Sequence, residues 1–302
     1  MKLQEIVNNN SKVHFMAIDT TLGSEIQTCL IGLGCLDPPA DGKFGPVSKF
    51  VLRSFAKIVG INDFDDMIDA QLAGKLLGET ADNLFPIELG NDLASRIIKY
   101  MRQKNFWIAR MPDFRNIVYV EGADEDGTPN VDTHNHFNDR RVVFVIKNGK
   151  PKVLLNVLAT TEPGAHWTNN PMNANGAARI AFGQYKTWVV GTHKAGTRSA
   201  HEALTQAENL PVHRDKNKDT IRKNDIIEIG VFGINQHSGR NAAATNIGLH
   251  GAGCLVGRSH QEHKDFMDIC RKDPRFKDAS NGYRFMSTII AGDDLANQVP
   301  IS

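Results

Sequence analysis

Apolar positions in the first third of the chain recur at intervals of three and four; from Asn116 onward they run in short, nearly continuous strings. The first pattern is that of amphipathic helices, the second that of buried strands. Ile26, Leu30 and Leu33 predict a helix that Gly34 stops. After the turn-rich stretch LDPPADGKFGP, with Asp41-Gly42 as its turn signal, Val47, Val51, Phe55 and Ile58 predict a second helix. Phe64, Ile68, Leu72 and Leu76 predict a third. The polar segment GETADNLFPIELGND reads as a boundary, and Leu93, Ile97, Ile98 and Met101 predict a helix beyond it. The strand-like runs are NIVYVEG, RRVVFVIKNGKPKVLLNVLAT, KTWVVG and DIIEIGVFGIN, and Asn148-Gly149 marks a hairpin within the second. Ser259 and Glu262 form a capping box for a last helix that carries Phe266, Ile269 and Cys270 and ends at Pro274. The fold expected is α+β: a small three-helix domain over residues 1–85, then a mainly β domain over 86–302 with an inserted loop and helix region.

With 302 residues, 41% of them hydrophobic, the chain can bury a substantial core. A net charge of +1 argues against a nucleic-acid surface. No stretch has the length of a membrane-spanning helix, and MKLQEIVNNNSKVHFMAIDTT lacks the apolar core of a signal peptide. The expectation is therefore a cytosolic product, or one released by a route without a cleavable signal. The four cysteines, Cys29, Cys35, Cys254 and Cys270, form no CxxC pair, which points away from a zinc ribbon or a disulfide framework.

Chemistry concentrates in GINQHSGRNAAATNIGLHGAGCLVGR. The run IIEIGVFGINQH reads as a buried strand that delivers His237 at its end, and Cys254 follows seventeen positions later, after a loop of small and polar residues. A free thiol ionises near pH 8.5, so a neighbouring imidazole that takes its proton makes it a nucleophile at neutral pH. Gly251 and Gly253 leave room for main-chain N–H groups to approach a developing oxyanion. The expected resting state is a thiolate–imidazolium pair attacking an amide carbonyl.

Two family resemblances extend this reading. IQTCLIGLGCLDPPADGKFGPVSKFVLRSFAKIVG, through Ile26, Leu30, Gly34, Asp41, Gly42, Phe44, Gly45, Val51 and Phe55, resembles the small three-helix peptidoglycan-binding domain of cell-wall enzymes. That implies wall binding through the Asp41, Gly42, Phe44 and Gly45 turn; the family's glutamine after the closing phenylalanine is Ala56 here. The spacing H-x(16)-C with HGAGCLV at its end resembles the L,D-transpeptidase catalytic domain, and VVFVIKNGKPKVLLNVLATTEPG is similar to that domain's opening hairpin. The resemblance implies a β-rich fold, an acyl-cysteine intermediate on peptidoglycan stem peptides, Cys254 as nucleophile, His237 as base, and Gly253 and Cys254 as main-chain donors. The chain has Gly251-Ala252-Gly253-Cys254 where the family has Ser/Thr-His-Gly-Cys, and Val256 where the family has arginine, with Arg258 two places on. His250, a main-chain carbonyl near Gly251, and Ser238 are the candidates for orienting His237. Gly251, Ser238, Arg258, Trp188 and His193 are the expected substrate-lining residues, and the non-matching insert Thr192–Lys223 reads as a lid.

The resulting expectation is an endolysin-like cysteine amidase or peptidase on bacterial peptidoglycan, needing no cofactor. A transpeptidase that passes the acyl group to an amine is one alternative. A zinc hydrolase is another, built on Asp132, His134, His136 and Asp139 with a third histidine from His166, His193, His201 or His213. A non-catalytic wall-binding protein is the remaining one. The mixed-charge run HRDKNKDTIRKND reads as a solvated loop.

Overall fold

The structure is a computed structural model and describes residues 1–279 and 282–301. Its elements in chain order begin with α1 (Leu3–Asn9), β1 (Val13–His14), α2 (Thr20–Gly32), α3 (Pro46–Ile58), β2 (Met67–Ile68), α4 (Ala70–Gly78), α5 (Ala81–Leu84) and α6 (Leu93–Gln103). Strands β3 (Asn116–Glu121), β4 (Asp139–Lys147) and β5 (Lys150–Thr160), helix α7 (Ala165–Asn169), and strands β6 (Ala177–Ile180), β7 (Gly183–His193), β8 (His201–Gln206), β9 (Leu210–Asp215), β10 (Ile226–Gly230), β11 (Gln236–Ser238) and β12 (Leu255–Gly257) follow. Helices α8 (His260–Arg271) and α9 (Pro274–Asp278), strand β13 (Phe285–Ala291) and helix α10 (Gly292–Gln298) complete the chain. The architecture is mixed α+β around a large mixed sheet.

The helical part holds together as the apolar spacing requires. Leu22, Ile26 and Leu30 of α2, Val51 and Phe55 of α3, and Leu72 and Leu76 of α4 share one core with Leu3 and Ile6 of α1. The third predicted helix begins later than its apolar spacing suggests. Ile68 lies in β2, paired with Val13, and Asp69 caps α4 by accepting from the N–H of Leu72 at 2.9 Å. The Asp41-Gly42 turn is locked by Gln27, whose Oε1 accepts from the N–H of Gly42 at 2.7 Å and whose Nε2 donates to Asp41 Oδ1 at 3.0 Å. Gly42 has φ +72°, and a Cβ there would lie 2.6 Å from the Thr20 carbonyl oxygen, so only glycine fits.

Eight strands close a barrel in the order β11-β12-β5-β4-β3-β13-β7-β8. The β4–β5 hairpin turns at Asn148 and Gly149, with φ of 52° and 73°, the left-handed pair a two-residue hairpin turn requires. β3 and β4 are apolar on both faces because both are covered. Ile117, Tyr119 and Val143 point to a core shared with Phe266, Met267 and Cys270 of α8. Val118, Val120, Val142 and Phe144 point the other way, to Ile97, Ile98 and Met101 of α6.

The run IIEIGVFGIN departs from the expected buried strand. β10 pairs with β9 in a separate three-stranded sheet, β10-β9-β6, and Ile226, Ile227, Ile229 and Val231 are exposed. The ladder is cut because Gln206 Oε1 accepts from the N–H groups of Phe232 and Ile234, and the barrel resumes only at β11. The Thr192–Lys223 insert is scaffold rather than lid: β8 closes the barrel and β9 is the central strand of the small sheet. The HRDKNKDTIRKND run is likewise half structural, since Arg214 and Asp215 are buried in β9.

A buried ionic network joins the helical part to the barrel. Arg275 of α9 donates to Asp37 Oδ1 at 2.6 Å and to both oxygens of Asp273, while Asp37 also receives Tyr283 Oη at 3.2 Å and Lys186 Nζ at 3.0 Å. The guanidinium lies over the rings of Phe114 and Tyr283.

Candidate functional site

β11 and β12 run parallel, with Gln236 opposite Leu255 and His237 opposite Val256. Gln236 and Leu255 point into the barrel, where Gln236 meets Tyr119 and Ser287. The two-residue period then puts His237 and Val256 on the outer face, with Cys254 one period before Val256 on that same face. Alternation thus places His237 and Cys254 on one face of the parallel pair, two register positions apart.

His237 is almost fully buried and its Nδ1 bonds to the carbonyl oxygen of Ser238 at 3.1 Å. A carbonyl can only accept, so Nδ1 carries the proton and Nε2 keeps its lone pair. Of the three candidate orienting groups, Ser238 supplies the bond. His250 has its N–H on the carbonyl of Ile247, and among the described residues its ring has no hydrogen bond to His237. The His237 ring stacks on His193 at 3.8 Å between centroids, tilted by 9°, and lies 5.9 Å from His201. Asn235 Nδ2 donates to His193 Nδ1 at 3.1 Å, and His201 Nε2 accepts from the N–H of Ser238 at 3.2 Å. His263 is fixed between Arg141 and the carbonyl of Glu202.

Burial makes this a cluster of neutral imidazoles. It holds His237 well below the usual histidine range, with His193 adding to the effect, and brings His193 down to about 4 and His263 to about 3. In the unfolded chain these groups take up protons near pH 6.5; in the folded chain they resist until well below that. The unfolded state therefore binds more protons across this window, and the stability carried by the cluster is full above about pH 6.5 and falls as pH drops toward 3. A lower urea midpoint at about pH 5 than at about pH 7.5 is expected. His193→Gln should flatten that difference, and an unchanged wild-type midpoint would contradict the assignment.

Cys254 is 9% exposed, and its Sγ donates to the carbonyl of Gly233 at 3.4 Å. Burial pushes the thiol up to about 11, against the N–H of Asn235, which favours the thiolate. The resting pair is therefore a neutral thiol and a neutral imidazole, not the thiolate–imidazolium pair expected from the residue types. Water exclusion is the reason: each charged form loses hydration on burial. Among the described residues the main-chain N–H groups of Gly253 and Cys254 donate to no acceptor. Gly253 has φ +112°, and a Cβ there would fall 2.4 Å from the carbonyl oxygen of Ala178, so this approach of strand and loop requires glycine.

The other predicted residues fall into scaffold positions. Trp188 is fully buried and donates Nε1 to the carbonyl of Ile234 at 2.8 Å, so it supports the turn before β11 and does not line a cleft. Arg258 reaches the carbonyl of Ala242, and the carbonyl of Gly251 accepts from Gly164. Asp41 holds its own turn and Phe44 packs on Phe15 at 5.3 Å, while Gly45 caps α3. The turn also borders a cavity of about 510 Å³ between the helical part and the barrel.

The His134 region assembles differently from a histidine zinc site. His136 bonds to the main chain of His134, and Asp139 is buried, accepting from the N–H groups of Gly122 and Thr161. The groups drawn together are Glu121, Asp132 and Glu162, with oxygens within 4.8 Å of one another. Arg222 pairs with Glu121 and Arg179 with Glu162. Sequence reasoning missed these arginines, and it also missed Trp167, Phe232 and Arg214, which line a cavity of about 210 Å³ beside the Cys254 loop. The facing of His193 and His201 across β7 and β8 was legible only once that hairpin was recognised.

No family model matches the chain, and no curated protein matches it. Among solved structures it is similar to a fused Zn-dependent amidase/peptidase/peptidoglycan-binding domain-containing protein from Clostridium acetobutylicum ATCC 824, at 14% identity, over 93% of this chain and 99% of that one, with a TM-score of 0.27.

Proposed function

We propose that the chain is a cysteine-dependent amidase or peptidase that acts on stem peptides or cross-links of peptidoglycan through an acyl-cysteine intermediate. The observation that carries the reading is the grouping at the start of β12. A cysteine follows a glycine at positive φ, two main-chain N–H groups have no acceptor among the described residues, and a histidine with a fixed tautomer stands on the same face. His237 Nε2 takes the thiol proton as sulfur attacks the amide carbon, and the N–H groups of Gly253 and Cys254 receive the oxyanion. Collapse breaks the C–N bond, and the imidazolium protonates the departing amine. Water or a second amine then attacks the thioester, His237 takes a proton from it, and the thiol is restored. Water gives hydrolysis; an amine gives transpeptidation.

A neutral resting pair suits this sequence, because proton transfer then accompanies attack and is not completed beforehand. The peptidoglycan part of the proposal rests on the two resemblances carried by the Asp41–Gly45 turn and by HGAGCLV. Intact-protein mass spectrometry after mixing with muropeptides tests the intermediate. The expected result is a peptidyl adduct that maps to Cys254; an adduct on another residue, or turnover without any adduct under acid quench, would oppose it.

A further inference from the structure

Arg214 belongs to the mixed-charge run HRDKNKDTIRKND, yet it is 5% exposed. It stands in the middle of the small sheet, on β9 opposite Ala178 of β6 and Ile226 of β10. Its Nε donates to Glu228 Oε2 at 2.7 Å, and Asn175 Nδ2 holds the other oxygen of Glu228 at 2.7 Å. The guanidinium carbon lies 4.6 Å from the centre of the Phe232 ring. Nε and one face of the fork are thus committed. Among the described residues the two Nη groups have no partner, and Arg214 lines the cavity of about 210 Å³ together with Trp167, Ile234 and Ala252.

That cavity abuts the nucleophile's loop. Ala252 lies two positions before Cys254, Ala178 touches Gly253, and Ile234 follows the Gly233 carbonyl that receives the thiol. At about 210 Å³ it is smaller than the roughly 300–1,000 Å³ that holds a whole ligand, so it fits the end of one. An arginine pre-set by an ion pair and an aromatic ring, with two parallel N–H groups free, matches a carboxylate.

We propose that Arg214 is a specificity-determining residue that binds the terminal carboxylate of a short peptide, with the apolar wall taking that residue's side chain. This rests on the reading of Cys254 as the acylated group only in saying which peptides are then processed: those with a free carboxyl end near the scissile bond. Binding itself does not depend on the thiol.

The test uses the full chain carrying Cys254→Ala, with an acetylated tripeptide ending in D-alanine as free acid and as amide, titrated calorimetrically. The acid form should bind at least about tenfold more tightly, the scale of a lost charge-assisted hydrogen-bond pair. Arg214→Gln should remove that preference, and Arg214→Lys, which keeps the charge but not the fork, should retain part of it. The acid–amide comparison needs no change at Arg214 and stands even if both variants fold poorly. Equal binding of acid and amide, or no binding of either, overturns the proposal. So does an unaltered preference in folded Arg214→Gln. Because the protein tested lacks the thiol, failure here leaves the acyl-cysteine reading intact, and failure of that reading leaves this one standing.

Discussion

Replacing His237 by glutamine is expected to lower peptidoglycan turnover by about 10²- to 10⁴-fold, the usual contribution of a positioned general base. The loss should fall on kcat rather than on KM, because Nε2 acts on the thiol proton and not on bound substrate. Glutamine keeps a polar side chain near the Ser238 carbonyl but has no group to take that proton. Added imidazole should recover part of the rate. Since His237 stacks on His193, the variant's thermal transition has to be followed alongside. A folded His237→Gln protein with wild-type kcat would remove His237 from the mechanism.

The second large effect concerns stability. Arg275→Met is expected to cost about 3–5 kcal/mol, because it strands Asp37 and Asp273 as buried carboxylates without their cation. Burial by itself would raise the Asp37 carboxyl; Arg275 and Lys186 more than offset it and hold it below the usual range. Asp37→Asn should be destabilising too, since it removes Arg275's link across to the helical part. Urea unfolding followed by tryptophan fluorescence measures both, and losses under about 1 kcal/mol would show that the network contributes little to holding the parts together.

Local chemistry was the legible part of the fold. The Asn148-Gly149 hairpin and the Ser259 cap of α8 stand where their residues demand, as do α2, α3 and α6 with their apolar stripes. What escaped was decided by distant partners. Ile68 looks helical by spacing but pairs with Val13, fifty-five positions away. Ile226, Ile227 and Ile229 read as core, yet β10 is an edge strand that pairs only with β9, and the side chain of Gln206 takes the N–H groups of Phe232 and Ile234 beyond it.

The candidate site divides in the same way. That His237 and Cys254 stand on one face of neighbouring strands could be expected from spacing, because a strand end and a glycine loop are local signals. Their charge state could not. It depends on burial and on a stack with His193, brought in by a strand more than forty positions upstream. Trp188 was expected to line the substrate cleft, while its indole N–H serves the Ile234 carbonyl inside the barrel. Arg214 was hidden by neighbours of both charge signs, which made a buried strand resemble a solvated loop.

The most direct measurement is a digest of purified sacculi with the wild-type protein and with Cys254→Ala, the released or altered muropeptides being identified by mass spectrometry. The account predicts new fragments with wild type and none with the variant, with masses that show whether water or an amine received the acyl group. Equal products from both proteins would contradict it.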